Sequence, residues 1–430
     1  MYNIARAADK AIYEEALLSP TPNLGIRLQV YYAKGSHYTV TKDKILSTGL
    51  NILEQATNSN SFNLGSCCIQ TLSIETSLDA PGIKGATTNV TQFVLEAGYG
   101  TSSSNIVYVP LGYYRMQSKS CSKKNGRYQL KLQSFMAALD KNLPKVFDYG
   151  TGTVQMWLEW LCTKIKIRNV KGTESDQYLY LSDDMNYSKL TNQDFSFQIT
   201  NETGYSTYRD ILKDLCVVSG AFATFDREGG LLLVPFRSKT TSDATITPDS
   251  IIDLSENLNP FLVDRIRCMS YKDVTDAEGK TTQESIDYSY PADVSTDDYY
   301  DISGLNIFNA MADRTIANGI ATRLYGFIGE GNYDATPFDI TVNTPDFRLD
   351  LGDWVDVEDT DNTIRSAQLM KIEYQIPGRA KYSSYQNPSN NDQSATMRSS
   401  YTSAAPSTPP GGGTTPTVVT EATAQWTFAK

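Results

Sequence analysis

The sequence predicts an α+β fold that is mainly β, with a small α/β unit inserted between two strand-rich regions. Three observations predict it. Between Leu24 and about Asp140, short stretches alternate polar and apolar residues with a period of two, as strands with one wet face do. Near residue 150 the period becomes helical, and from Thr336 it returns to that of strands. Tyr is abundant, 27 residues against 15 Phe, and its amphipathic ring suits half-buried strand faces and subunit contacts.

A chain of 430 residues exceeds what one ordinary core organises, so roughly two to four domains are expected. Residues 1–18 carry Ile4, Ala7, Ala8, Ala11, Ile12 and Leu17 at helical spacing, and Pro20 and Pro22 stop the helix. Its place ahead of the first strand (residues 1–24) reads as an arm docking elsewhere. Residues 25–140 follow with IRLQVYYA, QTLSIET, TQFVLEA, SNIVYVPLGYYRMQS and GRYQLKLQSF, separated by Gly, Asn, Ser and Lys. Short strands at this spacing suggest a closed antiparallel barrel or a sandwich.

Residues 141–236 read as the α/β insert. TVQMWLEWLCTKIKI places Trp157, Leu158, Leu161 and Cys162 on one helical stripe. STYRDILKDLCVVSG begins with Ser206 as N-cap and stops at Gly220, and AFATFDREGGLLLVPF is a hairpin turning at Asp226–Gly230. Residues 237–335 are looser and polar, with strands around Asp264–Tyr271 and Ser285–Tyr290 and a helix over LNIFNAMADRTIANGIATRLYGFI. Strands return over 336–384 in FDITVNT, LGDWVDVED and RSAQLMKIEYQI. Residues 385–430 are a linker rich in Ser, Thr, Asn, Pro and Gly, ending in EATAQWTFAK with Trp426 and Phe428 on one strand face.

Charge and chemistry exclude several function classes. A net charge of −11 opposes gripping nucleic acid through its phosphates, which needs concentrated Lys and Arg. The basic run Arg115, Lys119, Lys123, Lys124, Arg127 and Lys131 reads as a solvated strand–turn–strand face. No stretch has the apolar core of a secretory signal or the length of a membrane span. Cys67, Cys68, Cys121, Cys162, Cys216 and Cys268 form no CxxC pair and read as reduced, buried thiols of a protein made in a cytoplasm. Adjacent Cys67 and Cys68 would point to opposite faces of a strand.

The single histidine, His37, sits in a Gly–Ser turn, which excludes two-histidine metal sites and reads as a surface residue. GFIGEGNY (326–333) lacks the spacing of a phosphate cradle and follows a helix. Carboxylates cluster at Asp293, Asp297, Asp298, Asp301 and again at Asp350, Asp353, Asp356, Glu358, Asp359, Asp361. Paired carboxylates can hydrolyse glycosides, but a wet strand edge kept from aggregating is the favoured reading. No residue is assigned a catalytic, cofactor-binding or metal-binding role, and no cofactor is expected.

The order of motifs resembles that of tailed-bacteriophage tail hub and baseplate hub proteins. In VYVPLGYYRMQSKSCSKKNGRYQLKLQSFMAALDK (107–141), Pro110, Leu111, Gly112 and Tyr113 match the family's Pro-Leu-Gly-x-aromatic strand. Ser134, Met136, Leu139 and Asp140 match the end of its next strand, with Ser134 where Asp is usual. TYRDILKDLCVVSGAFATFDREGGLLLVPF (207–236) is similar to the family's helix, strand, Asp-Arg-x-Gly turn and strand. In 347–384, Gly352–Asp353, Ile372, Tyr374 and Gly378 match the closing barrel segment.

The resemblance spans roughly 25–384. It implies two antiparallel β-barrel domains, the second completed by 336–384, joined by the insert and the connecting domain. It further implies a homotrimeric, non-enzymatic ring at the virion tail tip, assembled in the bacterial host cytoplasm. Such a ring closes the tail tube and contacts distal tail or tail-tube ring proteins, the tape-measure protein and a central spike or receptor-binding proteins. DNA passes in transit only, and no stable membrane insertion is implied. Alternatives are the hub of a contractile tail, a bacteriocin or an injection system, and a tail-associated carbohydrate hydrolase or adhesion module.

Overall fold

The computed structural model describes residues 1–384 apart from 33–35, 47–49, 57–61, 84–89, 125, 145–147, 168–177, 201–203, 257–262, 276, 278, 295–298, 309–314, 330–332, 334 and 377. The linker and tail expected over 385–430, and the middle of the basic 115–131 run, therefore lie outside the described residues and side chains. The protein is mainly β, and the expected strand regions are found. The first holds β1 (Asn23–Tyr32), β2 (His37–Thr41), β3 (Asn51–Gln55), β4 (Thr71–Ser77), β5 (Val90–Gly100), β6 (Val107–Lys124) and β7 (Arg127–Ser134). The insert holds β8 (Asp148–Thr153), β9 (Ser196–Thr200), β10 (Ala221–Phe225) and β11 (Leu231–Pro235). Then come β12 (Ala244–Ile246), β13 (Ile251–Glu256), β14 (Arg265–Arg267), β15 (Met269–Thr275), β16 (Thr281–Asp287) and β17 (Tyr299–Asp301). The last region holds β18 (Phe338–Val342), β19 (Trp354–Glu358), β20 (Ile364–Gln368), β21 (Lys371–Gln375) and β22 (Arg379–Ser383).

The first and last regions are hydrogen-bonded into one 11-stranded sheet in the order β13-β18-β22-β21-β3-β4-β7-β6-β5-β1-β2. Its seam is the antiparallel pair β3–β21, with Leu53 opposite Glu373 and Ile52 opposite Tyr374. No closed barrel forms in this ladder. The last region also borrows strands from the segment before it: β13 pairs β18, and β12 runs parallel to β19 in a three-stranded sheet with β20. The expected single strand RSAQLMKIEYQI is two strands, β20 and β21, split at Leu369–Met370.

Four helices are described: α1 (Ala7–Leu17), α2 (Val154–Lys164), α3 (Tyr208–Val218) and α4 (Thr315–Ile328). Instead of docking elsewhere, α1 lies on its own chain. Its Tyr13 is fully buried, meets Tyr99 of β5 edge to face at 5.6 Å, and accepts the Phe347 amide proton at 3.0 Å. The stripe Trp157, Leu158, Leu161 and Cys162 of α2 is buried as expected, under a Thr153 cap that accepts from the Met156 amide. In α3 the cap is Thr207, one residue beyond Ser206, because Asp210 completes a reciprocal capping box with it. Gly220, at φ +63°, ends that helix as expected. The stretch 309–314 of the expected long helix lies outside the described residues.

One contiguous core runs from Tyr13 to Tyr382. Much of the tyrosine is there and not on half-wet faces: Tyr13, Tyr114, Tyr300, Tyr374 and Tyr382 are fully buried. Aromatic rings from every region meet in this core. Phe62 lies 4.6 Å from Phe236, which lies 5.6 Å from Phe222 and 6.2 Å from Tyr333, itself 5.9 Å from Trp354. No helix among the described residues is long and apolar enough to cross a membrane.

Candidate functional site

The three motif-bearing segments, far apart in sequence, meet at Arg227. The Asp226–Gly230 turn between β10 and β11 is built by Asp226, whose carboxylate accepts the amides of Glu228 and Gly230, both at 2.8 Å. That fold aims Arg227 inward, leaving it 6% exposed. Its guanidinium donates through Nη1 to the Pro110 carbonyl at 2.7 Å, through Nη2 to the Leu349 carbonyl at 2.6 Å, and through Nε to Asp350. The planar fork thus ties the Pro-Leu-Gly strand, the Asp-Arg-x-Gly turn and the Leu-Gly-Asp turn to one another. Gly352, at φ +89°, completes the joint: a Cβ there would sit 2.2 Å from Cγ1 of Val234 in β11.

Acidic groups surround the arginine. Asp353 accepts the Asp350 amide at 2.7 Å and the N-terminal ammonium of Met1. Burial pushes its carboxyl up to about 6, against the pull of that ammonium. Glu54 of β3 lies at the floor of a cleft of about 590 Å³ that Arg227, Asp350 and Asp353 also line. It is 5% exposed, its Oε1 has no hydrogen-bond partner, and burial pushes it up to about 7 against the attraction of Arg227. Two further buried hydroxyls without partners, on Tyr114 and Tyr374, interact electrostatically with Glu54.

The remaining sequence candidates separate. Asp356 accepts from Lys239 at 2.6 Å, Asp359 lies 3.5 Å from Arg365, and Asp361 accepts the Thr363 amide at 2.9 Å. A glycosidase needs two carboxyls flanking one space in acid and base roles. Asp356 and Asp359 each face a cation of their own, whereas Asp350 and Asp353 line one cleft with Glu54. Asp301 accepts the Ser303 amide at 2.8 Å, Asp293 is exposed, and Asp297 and Asp298 lie outside the described residues. His37 opens β2, exposed and stacked on Tyr31 at 5.4 Å. Among the described residues no group of three or more His, Cys, Asp or Glu is placed to hold a metal.

Arg227 and Glu54 were not singled out from sequence. The signal for Glu54 was present: in NILEQA it occupies the same alternating face as Ile52 and Ala56, which is the core face.

No protein-family model and no curated protein matches the chain. Solved structures do. A tail protein from Neisseria meningitidis is similar over 84% of this chain and 96% of its own, at 13% identity and a TM-score of 0.45. The prophage tail protein gp18 from Listeria monocytogenes is similar over 86% and 97%, at 12% identity and a TM-score of 0.45. The 43 kDa tail protein of prophage MuSo2 from Shewanella oneidensis is similar over 85% and 99%, at 13% identity and a TM-score of 0.42. All three are tail proteins. At TM-scores below 0.5 the likeness carries no role to this chain.

Proposed function

We propose that the chain is a structural tail-tip hub of a bacteriophage. Three copies form a ring that closes the tail tube, seats the neighbouring tail-tip and tape-measure proteins, and leaves a channel for DNA in transit. The observation that carries this reading is the Arg227 junction. One stretch from each segment by which the sequence resembles hub proteins, Pro110, the Asp226–Gly230 turn and Leu349–Asp350, meets the others at a buried joint between the two strand-rich regions and the insert. They hold architecture, which is what a mechanical ring part requires.

Each chain then offers two strand-rich lobes, 25–140 and 336–384, in the places of the family's two barrels, with 141–236 and 237–335 between them. Three such chains present six similar surfaces, which matches a trimeric tip to a hexameric tube. An acidic balance of −11 suits a passage that does not retain DNA. Negative-stain electron microscopy of the protein with its neighbouring tail proteins tests the reading. Six-lobed trimeric rings with a central hole are expected, and elongated monomers in that mixture overturn it.

A further inference from the structure

We infer that the cleft over Glu54 is a binding site for a primary alkylammonium group, the chemistry of a lysine side chain or of a small aliphatic amine. This inference is independent of the tail-hub reading. Glu54 shares a face of β3 with Ile52, and Ala56 continues that face; both neighbours are buried. The glutamate is 5% exposed, and that remainder opens on the cleft of about 590 Å³. Among the described residues its carboxyl makes no hydrogen bond and no ion pair, and Oε1 is buried without a partner. A buried acceptor left in that state is costly until a donor reaches it.

The charged and titratable groups around Glu54 are engaged elsewhere. Arg227 directs its N–H groups at Asp350 and at the Pro110 and Leu349 carbonyls. Asp353 holds the Met1 ammonium. Tyr114 of β6 and Tyr374 of β21 act on Glu54 through charge, with no hydrogen bond to it. Burial pushes the Glu54 carboxyl up to about 7, with Arg227 pulling it down and Asp350 pushing it further up. A cation that brings its own N–H donors supplies what these neighbours do not.

The walls of the cleft select the kind of cation. Beyond the pairs just described, its charged lining is Asp183, Asp184, Asp226 and Glu228 against Lys189 and Arg237, so the balance favours a positive ligand. Leu232, Val234, Pro235 and Leu351 give the same cleft an apolar stretch along which methylene groups can lie. A hard metal ion takes several oxygen ligands at once, and among the described residues no three His, Cys, Asp or Glu gather to hold one. A primary ammonium needs less. One charge-assisted N–H···O bond to Glu54 meets it, and its aliphatic stem covers the apolar stretch.

The test titrates the full chain at pH 8 and constant ionic strength with n-butylammonium chloride and with N-acetyl-lysine methylamide, followed by NMR. Saturable binding of both is expected, whereas tetramethylammonium, which has no N–H, does not bind. Affinity falls roughly tenfold from pH 8 to pH 6 as Glu54 takes up its proton. Glu54→Gln, which keeps the shape of the side chain, weakens binding about tenfold or more at pH 8 and removes the pH dependence. Tighter binding of the lysine amide assigns the ammonium to a partner protein, and tighter binding of butylammonium to a free amine; either supports the site. No saturable binding to the wild-type chain, or equal binding of tetramethylammonium, overturns the inference without recourse to any variant. A Glu54→Gln protein that binds as tightly as the wild type overturns it too.

Discussion

An arginine with its N–H groups directed at Asp350, Leu349 and Pro110 has no equivalent substitute, because the fork geometry and the charge are both used. Removing it leaves two carbonyls in a buried site, and a partly exposed Asp350 carboxylate, without their donor. Arg227→Met is expected to destabilise the protein by about 3–5 kcal/mol, and Arg227→Lys to recover only part of that in denaturant titrations. A Met variant as stable as the wild type would show that the joint is not the anchor. Glu54 makes a prediction of opposite sign. Burial raises its folded pKa from 4.5 to about 7, so its protonated form suits the fold. That contribution is complete below about pH 4.5 and is lost as pH climbs through 7, by up to about 3 kcal/mol. Glu54→Gln is therefore expected to leave stability unchanged at pH 4 and to raise it at pH 8. Destabilisation at pH 8 would mean that the charged form balances Arg227 and is needed there. Sequence reading did not single out either residue's role for one reason: a buried charge shows in local pattern only as a misplaced polar residue, as Glu54 does in NILEQA, while its partner is supplied by tertiary contact.

At the scale of elements, the legible parts are those with a strong local period. The long alternations of β1, β5 and β7 and the apolar stripes of α2 and α3 fall where the sequence puts them. The β22 strand RAKYS does not, since five residues with charges at alternate positions resemble a loop until β18 and β21 pair on either side. Nor do β12 and β13, whose pairing with β19 and β18 spans about a hundred residues of chain. The β15–β16 ribbon is a different case. Its ladder from Met269↔Asp287 to Thr275↔Thr281 forms a two-stranded sheet of its own. Its base is anchored: the Tyr288 amide donates to the Cys268 carbonyl at 2.8 Å, and the Cys268 amide to the Ser289 hydroxyl at 3.0 Å. Since Met269 and Asp287 already face each other, residues 270–286 can be replaced by Asn-Gly without stretching the chain. The thermal midpoint is expected to change by less than about 2 °C. A larger fall would place part of the core's stability in the ribbon.

At the largest scale, the decisive feature is that the first and last described strand regions meet in one ladder. Strands from the first 140 residues and from the last described 50 share a sheet through β3–β21, and aromatic contacts from Phe62 through Phe236 and Tyr333 to Trp354 join the same two regions. Two separate barrels, each with its own core, would open independently, as units of local stability do. A shared sheet cannot part at the seam without exposing Ile52, Ile372 and Tyr374, all fully buried. Hydrogen exchange followed by mass spectrometry is therefore expected to give β3, β4, β21 and β22 one common opening free energy, with correlated exchange when opening is rate-limiting. Early exchange of β21 and β22 while β4 and β7 stay protected would divide the molecule at residue 336. Under the proposed hub function, each subunit would then flex internally, whereas a common opening energy would have it move as one body, with any opening of the proposed ring between copies.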